Sequence, residues 1–204
     1  MKLMAGLVCT MAVVAAAEVP ESSLLATYRD RAFRPDPGTL CIVTGQGDTL
    51  VFADQPDPKY MEDYEVFDLT AFLPEQNCWV VTKTYCEWAV TLLVNGSSGR
   101  TAQAVSPPEP GPGGSRLLCT SEDIVLGELQ NGLQVWRVDP DSLALEFEFR
   151  NEPWGPVNAG WVGDSLIVFD MLFPDGQEGE YTTSPGSLRL SADGVWTPHD
   201  EADW

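Results

Sequence analysis

The chain has 204 residues, 44% of them hydrophobic, and a formal net charge of −20 at pH 7 from 31 Asp+Glu against 11 Lys+Arg. Such a field repels phosphate backbones and anionic lipid surfaces, which excludes nucleic acid as a partner and favours a basic protein, a cation or a neutral glycan. The length suits one domain with an adequate core better than two.

Residues 1–17, MKLMAGLVCTMAVVAAA, carry one cation, Lys2, ahead of an uncharged apolar run whose final alanines offer a small-residue cleavage site before Glu18. This is the pattern of a secretory signal peptide. A membrane anchor needs roughly 20 apolar residues, more than the run supplies, and Val8 before Cys9 departs from lipidation sites. Removing the segment leaves 187 residues, and because Lys2 is the only charge lost, their net charge is −21. No second long apolar run follows. The expected location is the periplasm or the extracellular space, with no membrane span in the mature chain.

Cys41, Cys78, Cys86 and Cys119 remain after cleavage. An even number in an oxidising compartment predicts two disulfides, with three pairings open. There is no C-x-x-C pair and the one histidine, His199, lies far away, so no metal site is expected from these ligands.

Residues 18–38 read as an N-terminal leader with a short helix at SSLLATYRDRAF, stopped by the prolines of RPDPG. Arg29, Arg31 and Arg34 form the local basic cluster, expected to dock on the protein's own acidic surface. Residues 39–198 read as a single all-β domain and 199–204 as an acidic C-terminal tail. TLCIVTGQGDTLVFAD predicts a hairpin turned by Gly-Gln-Gly-Asp, whereas YMEDYEVFDLTAFL fits neither period cleanly. Strands are expected at NCWVVTKTY, EWAVTLLV and TAQAV, the last two turned by NGSSGR. SPPEPGPGGS, residues 106–115, reads as an exposed loop.

LQVWRVDPDSLALEFEF predicts two strands folded around Asp-Pro-Asp-Ser. Leu143, Leu145, Phe147 and Phe149 are expected on one face, with Glu146, Glu148 and Arg150 on a solvated one. SRLLCTSED precedes this hairpin. The same order recurs from NCWVVTKTY to TAQAV and from DSLIVFDML to VWTPH, which predicts internal repetition with units beginning near Asn77, Ser115 and Asp164. PGGSRLLCTSED and GWVGDSLIVFD resemble the entry strands of bacterial β-propeller blades. That resemblance spans residues 77–198, singles out no particular family, and implies antiparallel meander repeats in an incomplete propeller-like arrangement. A two-sheet β-sandwich is the alternative.

Catalytic chemistry is hard to place. With His199 in the tail, Ser-His and Cys-His mechanisms lack a held base. G-x-S-x-G, a P-loop and a dinucleotide fingerprint are all missing. A carboxylate-dependent glycoside hydrolase remains the enzymatic alternative. FPDGQEGEY places Asp175, Glu178 and Glu180 around glycines, oxygen ligands of the kind calcium takes, although an acidic loop is the plainer reading. Trp136, Trp154, Trp161 and Trp196 are expected mainly as packing, while Trp154 and Trp161, among Pro and Gly, are the candidates for a binding surface. Asn95-Gly96-Ser97 is a glycosylation sequon. The expected function is that of a non-enzymatic interaction protein offering an acidic surface to a protein partner. One version is an envelope inhibitor or immunity protein.

Overall fold

A computed structural model describes residues 19–57, 59–124, 130–150, 153–175 and 180–199. Residues 1–18, which include the segment expected to be a signal peptide, and residues 200–204 lie outside them. Among the described residues the protein is all-β, with one short α-helix beside four antiparallel meander sheets, consistent with blade-like repeats.

Helix α1 (Glu21–Thr27) is followed by the first sheet, β1 (Ala32–Asp36), β2 (Thr39–Val43) and β3 (Thr49–Ala53). The second sheet holds β4 (Val66–Leu73), β5 (Cys78–Thr84), β6 (Ala89–Asn95) and β7 (Thr101–Ala104). The third holds β8 (Glu109–Pro110), β9 (Arg116–Ser121), β10 (Gly132–Val138) and β11 (Leu143–Phe149), and the fourth β12 (Gly155–Trp161), β13 (Leu166–Pro174), β14 (Tyr181–Leu190) and β15 (Trp196–His199). In every sheet, sequence neighbours are spatial neighbours. The expected repeat is thus present, and each strand placed first in a unit, β5, β9 and β13, is the second strand of its sheet.

The missed first strands have physical reasons. β4 comes from the ambiguous aromatic segment, β8 is two residues long, and β12 runs through the Pro- and Gly-rich stretch around Trp154 and Trp161. The leader supplies α1 and β1, and β15 carries His199 as its last strand residue. Among the described residues the strands form four sheets, not the two of a sandwich.

Three core clusters join the sheets in series. Leu40, Ile42, Phe67, Leu69, Trp79 and Val81 fill the space between the first and second sheets, under Leu24 of α1. Cys78, Val80, Leu93, Leu117, Cys119 and Trp136 lie between the second and third. Leu133, Val135, Trp154, Ile167, Met171 and Leu188 lie between the third and fourth. The two middle sheets are therefore buried on both faces, which is why CWVV and LLC are continuous apolar runs. Among the described residues no cluster joins the fourth sheet back to the first, so the series is open. Val51 of the first sheet and Val168 of the fourth stand exposed on the outward faces of the two end sheets.

The β11 alternation is broken by a bulge. Val135 pairs with Phe147 but Trp136 pairs with Leu145, which leaves Glu146 as the extra residue. Phe147 and Phe149 consequently pack toward the fourth sheet and Leu143 toward the second. The expected single face of Leu143, Leu145, Phe147 and Phe149 is split by this one insertion, because each added residue reverses side-chain direction. No helix among the described residues is long and apolar enough to cross a membrane.

Candidate binding groove

The Pro/Gly stretch borders a groove whose lining mixes apolar and polar side chains. Prolines cannot donate to a ladder, and here they shorten β8 to Glu109–Pro110, paired only with Leu118 and Leu117. The second sheet's face toward the third is therefore left uncovered near β4. The result is a groove of about 550 Å³ floored by Asp68, Thr70, Ala71 and Thr82, with Val19 and Glu21 at one side and Pro107 and Pro108 at the other. Asp68 stands opposite Thr82 in register, and a bulge between Leu69 and Ala71 turns the strand at Thr70. The Thr70 hydroxyl donates to the Val80 carbonyl at 3.1 Å, which fixes the bulge.

Three carboxylates surround one guanidinium here. Arg34 donates through Nε and Nη2 to the two oxygens of Glu21 at 3.0 and 2.9 Å, approaches Asp54 at 3.6 Å and donates to the Phe67 carbonyl. Glu21 also accepts the Leu69 N–H at 2.9 Å, and Asp54 accepts that of Phe67 at 2.9 Å. These bonds fasten α1 and β3 to β4. Asp68 feels the guanidinium without holding it. Partial burial and the charges of Glu21 and Asp54 raise its carboxyl above the ordinary value, with Arg34 pulling the other way. The groove thus exposes a carboxylate whose own surroundings disfavour its charge. Sequence reading missed Asp68 because the segment's period was unclear, although Phe67 and Leu69 alternating with Asp68 and Thr70 carried the signal.

Of the residues the sequence singled out, Trp154 is buried between Phe149, at 4.6 Å, and Phe169, at 5.9 Å. Trp161 is half-buried, with its ring over Gly111 and its indole N–H 3.4 Å from the Glu109 carbonyl. Asp175 and Glu180 are exposed at the β13–β14 hairpin, where the Asp175 N–H donates to the Glu180 carbonyl at 3.0 Å. Glu178 lies outside the described residues. Trp154 and the acidic hairpin do not share a concavity with Asp68. No group of three His, Cys, Asp or Glu side chains among the described residues could hold a metal.

The two expected disulfides are corrected: Cys41, Cys78, Cys86 and Cys119 are free thiols. Cys41 points away from the second sheet, since its neighbours Leu40 and Ile42 point toward it, and Cys86 is exposed in the β5–β6 turn. Cys78 and Cys119 share one core cluster, and burial pushes both thiols up to about 12. Glu146, expected on a solvated face, is a second correction. It accepts from Arg116 at 2.6 Å, Arg137 at 3.2 Å and the Trp196 indole at 2.9 Å. Asn95 of the sequon is 1% exposed, its amide donating to the Asp139 carbonyl at 2.9 Å and its oxygen accepting the N–H groups of Ser97 and Ser98. It is closed to glycosylation in the folded protein.

No protein-family model matches the chain, and no curated protein matches it either.

Proposed function

We propose that the chain is an exported, non-enzymatic binding protein that offers its carboxylate surface, centred on the Asp68 groove, to a basic protein partner. The observation that carries this reading is where the cations go. Arg34, Lys83, Arg116, Arg137 and Arg150 are each held by a carboxylate of the chain itself, so the surplus negative charge of the sequence is left to the surface. A lysine or arginine of a partner entering the groove would supply the counter-charge that Asp68 lacks, and charge complementarity of this kind speeds encounter. The blade-like sheets support a scaffold related to bacterial β-propeller repeats, and a periplasmic or extracellular inhibitor or immunity protein for a basic enzyme fits the same chemistry. Glu21 has both oxygens engaged by Arg34 and the Leu69 N–H, which makes it a structural carboxylate more readily than one of a hydrolytic pair.

The test is capture from envelope extract on the immobilised chain. The screening length falls from about 10 Å at 0.1 M salt to about 3 Å at 1 M. A basic protein should be retained at low salt, released at high salt and retained less by Asp68→Asn. Capture that ignores salt and the Asp68 substitution would overturn the proposal.

A further inference from the structure

The β5–β6 hairpin carries a second concavity, distant in character from the acidic groove. Its tip holds an aromatic pair, Tyr85 and Trp88, stacked with ring centroids 3.9 Å apart and planes 17° from parallel. The pair is braced. The Tyr85 N–H donates to the Trp88 carbonyl at 2.7 Å, and Lys83 sits 4.6 Å over the Tyr85 ring while pairing with Glu65 at 2.6 Å. Trp88 is nonetheless 47% exposed. A large, rigid aromatic surface left in water costs free energy that a ligand recovers by covering it.

Beside that ring lies a cavity of about 260 Å³ walled by Trp88, Val90, Gln103, Val105 and Gln130, with alanines between. No charged side chain among the described residues lines it, in a chain of net charge −20. The glutamine amides each offer two donors and an acceptor. An apolar wall, one presented aromatic ring and a few neutral amides are the inventory of a small-molecule site that orients its ligand by hydrogen bonds. Sugars match it: one face of the ring is C–H, and the rim is hydroxyl. An acidic sugar would meet the field of the chain and of exposed Glu87, next to Trp88, without any cation in the cavity wall to offset it.

We propose that this cavity binds a neutral saccharide, with Trp88 as the stacking platform and Gln103 and Gln130 as hydrogen-bonding partners of its hydroxyls. The site is independent of the Asp68 groove and of the protein partner proposed there. Sequence reading placed EWAVTLLV as a strand only, and the signal for the site was a tryptophan at its turn end beside Tyr85.

The experiment is titration of the full chain with cellotetraose, tetra-N-acetylchitotetraose and tetragalacturonate, followed by tryptophan fluorescence and calorimetry. At least one neutral probe should bind at concentrations up to about 10 mM, a range that registers weak affinities. Trp88→Ala should weaken it about tenfold or more and Gln103→Ala less, whereas Trp88→Phe should retain part of it. Unchanged circular dichroism will separate lost binding from lost folding. No binding of either neutral probe, equal binding of tetragalacturonate, or wild-type binding by Trp88→Ala would each overturn the assignment. So would a Trp88→Ala chain that loses only a protein partner.

Discussion

The indole N–H of Trp196 in β15 donates to Glu146 in β11 at 2.9 Å, so one carboxylate fastens the last strand of the fourth sheet to the edge strand of the third. The same carboxylate takes Arg116 and Arg137 of the third sheet. Only the β11 bulge aims it there.

Glu146→Gln should therefore cost about 2 kcal/mol, the range for a hydrogen bond to a charged group with little water to replace it. Urea denaturation at neutral pH measures this. The pH dependence has a definite sign. Burial would raise the Glu146 carboxyl, but the hydrogen bonds from Arg116 and Trp196 and the Arg116 and Arg137 charges bring it below its ordinary value. Its contribution is present above the ordinary carboxylate range and is lost as pH falls through the lowered folded value. The wild type should lose stability toward acid more steeply than Glu146→Gln.

Asn95 predicts a second sensitivity. Its amide links the β6–β7 turn to the Asp139 and Ser142 carbonyls of the next sheet at 2.9 and 3.3 Å, and its oxygen holds Ser97 and Ser98. On the other side Gly45 donates to the Gly96 carbonyl at 2.8 Å. A side chain at Gly96 would come within 2.5 Å of Asn77 Oδ1. Asn95→Ala should destabilise by about 2 to 3 kcal/mol because it strands buried carbonyls and amides together. Thermal unfolding checks it.

How far the fold was legible follows from what a residue pattern records. Apolar runs such as CWVV mark strands wherever both faces are covered, and turn residues mark their ends, so the meander and the all-β class were visible. A bulge leaves no mark in alternation: Leu143 to Phe149 reads identically whether or not Glu146 is inserted, and the pairing across from it decides. Short β8 was hidden because two residues carry no period. The groove depends on that shortness, hence on what β8 fails to cover, which a list of local signals does not contain. The tryptophans divide: Trp136 and Trp196 are buried as packing residues, and Trp154, singled out for a binding surface because it lies among Pro and Gly, is buried as well.

Thiol reactivity offers a direct check on the cysteines. Cys86 is exposed, whereas Cys78 and Cys119 are fully buried with their thiols pushed up to about 12. The thiolate is the species that reacts. Iodoacetamide on the native chain, read by peptide mass spectrometry, should label Cys86 first and reach Cys78 and Cys119 only after denaturation. Recovery of Cys78 or Cys119 in a disulfide-linked peptide would contradict the free-thiol structure.

Asp68 sets binding against stability. Burial, then the neighbouring Glu21 and Asp54 charges, raise its carboxyl despite Arg34, so its ionised form is less favourable in the folded chain than in the unfolded one. The resulting penalty is full above the raised folded value and fades to nothing as pH falls from there to the ordinary carboxylate range. Asp68→Asn should therefore stabilise the protein at neutral pH by no more than about 1 kcal/mol, since the side chain is solvent-screened, and the gain should vanish in acid. The same substitution should weaken the salt-sensitive partner by about tenfold, the scale of a single steering charge in contact. Calorimetric unfolding at neutral and acid pH, beside capture at low salt, reads both effects from one variant. A variant that gained stability yet kept the partner would mean the groove carboxylate is strained for a reason other than recognition.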